Sequence, residues 1–132
     1  MINISINAPK SKKGILEPAL ESYLKQLKVV KRTVPLDIEV RLVKLDALGY
    51  CDFNYVYKYP EINILLNRDL KLVELLVTLA HETVHAKQFL RKELKSKCNV
   101  TYWKGEASSK LEWEDEAYSL ESVLFENFKN ER

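Results

Sequence analysis

The stretch Leu70-Lys71-Leu72-Val73-Glu74-Leu75-Leu76-Val77-Thr78-Leu79-Ala80-His81-Glu82-Thr83-Val84-His85 decides how the rest of the chain is read. Asn67-Arg68-Asp69 in front of it can cap a helix. Leu70, Val73, Leu76, Val77, Ala80, Val84 and, with drift, Phe89 then recur at near-helical spacing, which predicts a helix from near Leu70 to near Leu94. On that helix His81 and His85 stand one turn apart on one face, so two imidazoles can bind one Zn²⁺ without distorting the backbone. Glu82 leaves the helix about 100° further round, beside the metal and not on it, where a general base for a water molecule belongs. The chain has only two histidines. Two placed at random fall four apart about 1.5% of the time, so the spacing carries weight.

A zinc site of the catalytic kind needs a third protein ligand and an open fourth position. No histidine remains, which leaves Asp, Glu or Cys. A last helix is expected over about 112–129, with Trp113, Ala117, Leu120, Leu124 and Phe128 on one stripe. It offers Glu112, Glu114, Glu116 and Glu121. Glu114 and Glu121 flank the stripe near Ala117 on one side and Glu116 on the other. Phase slightly favours the first two and leaves the choice open; Cys98 is the outsider.

Ahead of this region, Ile2, Ile4 and Ile6 alternate with polar residues as a short strand, and Pro9 to Gly14 reads as a basic turn. Ile15, Leu16, Ala19, Leu20, Tyr23, Leu24, Leu27 and Val30 predict a helix over 15–31, ended by Pro35. Ile38, Val40 and Leu42 form a second alternating strand. After a turn at Gly49, residues 51–58 and 61–66 read as a hairpin about Tyr59-Pro60. Residues 96–110 read as irregular. The order of elements gives one α+β domain over 1–132, with helices on one face of a mostly antiparallel sheet.

The bulk properties suit such a domain. Of 132 residues 46% are hydrophobic and 30% charged, enough for a core without disulfides. A net charge of +2 argues against nucleic acid and against an anionic membrane. The basic bias of 10–32 and the acidic bias of 112–126 read as two solvated helix faces. Cys51 and Cys98 show no metal or redox spacing. No apolar run suits a secretory leader or a membrane span, so the expected compartment is the cytoplasm. Asn99-Val100-Thr101 matches a glycosylation sequon by chance.

Three segments in order carry a resemblance: His81-Glu82-Thr83-Val84-His85-Ala86-Lys87-Gln88-Phe89 with Glu93-Leu94, then Trp103-Lys104-Gly105, then Trp113-Glu114-Asp115-Glu116-Ala117. Together they resemble the small predicted metallopeptidases common in phage genomes, which are similar to minimal gluzincins and more loosely to SprT-like proteins. The resemblance covers about residues 77–121. It implies a zincin fold (a small sheet, an active-site helix and a glutamate helix), a zinc cofactor, a peptide or protein substrate, and a host cytoplasm for a phage-encoded chain. The E-x-x-A pattern carries the third ligand to Glu114, with Ala117 allowing close helix approach, and makes Glu82 the catalytic base. Tyr118 departs from the Asp or Asn that supports a metal-bound histidine in several such families, and Leu111-Glu112 stands where Pro is frequent. Tyr102 and Tyr118 are the nearest tyrosines for stabilising an oxyanion. The strand 61–66 is either the sheet edge that takes an extended substrate or an interior strand. The alternative function is a non-catalytic module in which zinc only fixes the helices and the domain binds a protein or DNA partner. The intact Glu82 argues against it.

Overall fold

The computed structural model describes residues 2–29, 35–56 and 59–132. The elements run β1 (Ile2–Asn7), α1 (Lys10–Gln26), β2 (Leu36–Val43), β3 (Gly49–Val56), β4 (Tyr59–Asn67), α2 (Leu72–Leu90), β5 (Leu94–Lys97), β6 (Val100–Trp103), β7 (Glu106–Ala107) and α3 (Glu112–Asn130). The class is α+β, as expected. Residue alternation sets the layers: Leu36, Ile38 and Val40 of β2 and Ile62, Ile64 and Leu66 of β4 are buried, while the residues between them are polar or only partly covered. The helices cover the apolar face. The opposite face holds Asp37, Glu39, Glu61 and Asn63, with Asn3 Nδ2 donating to Asp37 at 3.0 Å.

The main sheet has the order β1-β2-β4-β3. β1 pairs in parallel with β2, and β2 with β4; only β3–β4 is antiparallel in this sheet. Three of the five described pairings are antiparallel once the second sheet, β5-β6-β7, is included, but the four-stranded sheet itself is mixed. The parallel pairs follow from the connections. Helix α1 carries the chain back across the sheet between β1 and β2, and β3 runs at the far edge before β4 turns back into the gap. The edge is therefore β3, and β4, the strand over 61–66, is interior. Of the two readings of 61–66, edge or interior strand, the structure takes the interior one: β4 has the fully buried row Ile62, Ile64 and Leu66 and a partner on each side.

Helix α1 starts at Lys10, within the segment read as a turn. Pro9 takes the N-cap with φ −56° and ψ 148°, and its carbonyl receives the amides of Lys12 and Lys13 at 2.9 Å. Pro18 lies inside the helix and costs a backbone bond there. Burial of Leu16, Ala19, Leu20, Tyr23 and Leu24 offsets that loss at about 1.5–3 kcal/mol for each large apolar side chain. Tyr23 Oη donates to the Leu76 carbonyl at 2.9 Å, tying α1 to α2. Val30, the last apolar position expected on this helix, lies outside the described residues, as do 57 and 58 at the end of the first hairpin strand.

Helix α2 is bounded by its caps. Glu74 Oε1 accepts the Lys71 amide at 3.1 Å. At the other end Lys92 takes φ 59°, and the amides of Glu93 and Lys92 return to the carbonyls of Gln88 at 2.9 Å and Phe89 at 3.0 Å. This is a Schellman ending with lysine where glycine is usual, so the helix stops before Leu94. Val73 is 58% exposed, so the expected apolar stripe does not hold at its start; further on, α2 is buried on nearly every side. Residues 94–107 form two tight hairpins. Cys98-Asn99 (φ 52° and 63°) and Lys104-Gly105 (φ 52° and 91°) supply the paired positive φ values of two-residue turns. No helix among the described residues is long and apolar enough to cross a membrane.

Candidate metal centre

The phase of α2 turns His81 and His85 toward the first turn of α3, where Glu114 stands. Ala117 is fully buried and lets the two helices approach. Glu114 Oε1 lies 3.0 Å from His81 Nε2 and 2.6 Å from His85 Nε2. One ligand atom from each of the three residues falls within 4.8 Å of the others. His81, His85 and Glu114 are thus a group able to hold a metal ion. Two imidazole nitrogens and one carboxylate suit a divalent ion of the zinc kind. Tetrahedral ligands at zinc distances stand roughly 3.3 Å apart, close to the separations of Glu114 Oε1 from the two imidazole nitrogens, and the Glu114 side chain is 35% exposed.

The remaining sequence candidates have other partners. Glu116 Oε1 receives Lys87 Nζ at 2.6 Å and Gln88 Nε2 at 3.0 Å. Burial works to raise its pKa, but hydrogen bonds from Lys87 and Gln88 and the charges of Lys87 and Lys104 outweigh it, and the carboxyl sits below its usual range. Glu121 Oε1 lies behind His81, 3.4 Å from Nδ1. Cys98 is exposed in the β5–β6 turn. Tyr118 is 65% exposed, with its ring 4.7 Å from that of His81. Tyr102 lies in β6 and lines neither hollow beside the cluster.

Gln88 is the residue that sequence reasoning missed. It is completely buried. Its Nε2 donates to the Trp113 carbonyl at 2.9 Å and to Glu116 at 3.0 Å, which fixes the amide and turns Oε1 toward His85 Nδ1 at 2.8 Å. The Nδ1 proton of His85 is then committed, which leaves Nε2 as the ligand nitrogen. The signal was there: Gln88 follows His85 by three residues and so shares its helix face. The neighbouring Lys87, also buried, pairs with Glu116 and with Glu93 at 3.0 Å.

Glu82 is 6% exposed and belongs to the wall beside the trio. Burial, with Glu114 and Glu121 adding to it and His81 opposing, pushes its carboxyl from an ordinary 4.5 up to about 7. The first residue of β3 passes over it. A Cβ on Gly49 would meet Thr78 Cγ2 at 2.8 Å and Glu82 at 3.1 Å, so glycine is what lets the sheet edge run so close. Hollows of about 230 and 220 Å³ open on either side, both lined by Gly49, Glu82 and Glu114. Burial, with Glu82 and Asp52 nearby, also pushes the Cys51 thiol well up, away from its reactive form.

Fold and site together define an α+β protein with a His/His/Glu group able to hold a metal, set under a sheet edge. Compared with protein-family models, curated proteins and solved structures, the chain has no match.

Proposed function

We propose that the chain is a zinc-dependent peptidase. The observation that carries this reading is the division of labour among the acids at the site. Glu114 faces both imidazoles, while Glu82 is buried beside them, holds its proton up to about pH 7 and lies under the open strand β3. A purely structural metal site has no use for that second carboxyl. His81, His85 and Glu114 would hold the ion, which when bound supplies a Lewis acid that polarises a carbonyl and acidifies water. Glu82 takes the proton of the attacking water and delivers it to the leaving amine. Gln88 keeps His85 in its ligating tautomer, and β3 offers its edge to an extended chain.

Purified protein is expected to hold about one zinc per chain, as a catalytic site does, and to lose it in His81→Ala and His85→Ala. Glu82→Gln is expected to keep fold and zinc while peptide hydrolysis falls on the order of 10²–10⁴-fold. A zinc-loaded Glu82→Gln protein that cleaves at the wild-type rate refutes the role of Glu82. Zinc binding with no hydrolysis by the wild type, across a broad peptide mixture, replaces the enzyme with a zinc-stabilised interaction module.

A further inference from the structure

A hollow of about 640 Å³ adjoins the His/Glu cluster without including its ligand residues. It shares Tyr50, Cys51, Phe89 and Leu94 with the hollow that reaches His85 and Glu114, so the two form one continuous groove. Each long wall is an open strand edge: among the described residues β3 pairs only with β4, and β5 only with β6. The phase of the β3 pairing is visible at its start, where the Leu48 carbonyl takes the Asn67 amide. Even-numbered residues therefore bond toward β4, and the backbone groups of Gly49 and Cys51 face the groove. The floor is apolar, with Phe53 and Phe89 stacked at 5.6 Å. The rim is basic. Lys92, Lys95 and Lys97 all line the hollow, all are exposed, and none has an acidic partner among the described residues. Asp52 is the single acid on the lining, and it is engaged by the Phe53 amide at 3.0 Å.

We infer that this groove binds an extended acidic segment of the substrate chain, on one side of the bond to be cleaved. The inference rests on the peptidase reading for the word substrate, but the groove and its charge stand independently of it. Open edges on two walls suit an extended backbone, and three unpaired lysines around an apolar floor favour carboxylate side chains with short apolar stems. Gly49 lies over Glu82 and Phe53 lies four residues along the same strand, about 13 Å at 3.3–3.4 Å per residue. The acidic positions therefore fall about two to four residues from the cleaved bond.

The test uses the full-length Glu82→Gln protein, zinc-loaded, with a fluorescent decapeptide carrying glutamates at alternate positions and its glutamine counterpart. At about 0.15 M salt the acidic peptide is expected to bind about tenfold more tightly, and the preference to shrink at about 1 M salt. Lys92→Gln/Lys95→Gln/Lys97→Gln should bring the two peptides level, and the matching triple Glu variant should reverse their order. Circular dichroism and zinc content check both variants, and the Gln set serves alone if the Glu set fails to fold. Equal binding of the two peptides by the parent protein overturns the proposal, as does a preference that survives both triple variants. A single-stranded DNA oligonucleotide that displaces the acidic peptide at a lower concentration overturns it too, in favour of a phosphate backbone. Selective binding with no cleavage of any peptide by the wild type refutes the peptidase reading and leaves the groove. Cleavage of a mixed peptide library with no acidic enrichment two to four residues from the cut does the opposite.

Discussion

Glu82 makes the metal-free protein sensitive to pH in a direction that can be worked out beforehand. The folded chain holds the Glu82 proton up to about pH 7, against an ordinary 4.5, so the native state binds that proton more strongly than the unfolded state does. Its contribution to stability is fully present below about pH 4.5 and is lost as pH rises through 7. The shift corresponds to about 3 kcal/mol at roughly 1.4 kcal/mol per unit. Glutamine has the shape of the protonated acid and never ionises. Glu82→Gln is therefore expected to match the wild type near pH 4.5 and to be more stable by up to about 3 kcal/mol near pH 8, both without metal. The assay is urea unfolding of both proteins in chelator at a series of pH values, read as the difference between them. That cancels the titration of the carboxylates that do not interact with Glu82. Saturating zinc should shrink the difference, because a cation beside Glu82 favours its ionised form. A difference that stays flat from pH 4.5 to pH 8, or a wild type that gains relative to the variant, refutes the burial argument.

Three further outcomes follow from the same geometry. Gln88→Leu strands the buried His85 Nδ1, whose partner at 2.8 Å is lost. A chelator competition should show zinc affinity down by about 10–100-fold, and the thermal midpoint should fall as well. Lys87→Met leaves Glu116 and Glu93 without their buried cation. Denaturant unfolding should show a loss of about 1–3 kcal/mol, the cost of leaving partly buried acceptors unsatisfied, with part of it restored by adding Glu116→Gln. Gly49→Ala drives a methyl to 2.8 Å from Thr78 and lifts the edge strand from Glu82. It should cost about 1–3 kcal/mol and depress hydrolysis more than zinc binding, measured on the same preparation.

Where a pattern is local the sequence was legible. The alternations at Ile2–Ile6 and Ile38–Leu42 and the last helix depend on neighbours along the chain, and they fall where expected; the hairpin forms too, but Gly49, Tyr59 and Pro60, expected as turns, are paired inside its strands. Lys10 to Gly14 were misread because a lysine-rich stretch with one glycine resembles a turn, yet the Pro9 carbonyl and the buried face beyond Ile15 draw them into α1. The hairpins over 94–107 stayed hidden because Cys98-Asn99 lacks the Asn-Gly signature, and lysine takes the positive φ at Lys104. The interior place of β4 was illegible for a different reason. Strand order is set by long-range pairing, and an alternating strand reads alike at an edge and in the middle of a sheet.

The site divides along the same line. His81, Glu82 and His85 were legible because helical periodicity alone determines their mutual geometry. Glu114, Glu116 and Glu121 share one helix, and periodicity alone left them unresolved. What separates them is the partner that each meets across the helix interface. Glu114 faces two imidazoles, Glu121 backs one ring at 3.4 Å, and Glu116 meets the buried Lys87. That lysine is the deciding residue. The buried Lys87 pairs with the partly exposed Glu116, and Gln88, bonded to the same Glu116 oxygen, holds the amide that orients His85. The acidic stretch 112–126, which looked like a solvated face, therefore contains a sorting arrangement. One acid faces both imidazoles, one backs a ring, and one is tied down beside the amide that orients the other ring.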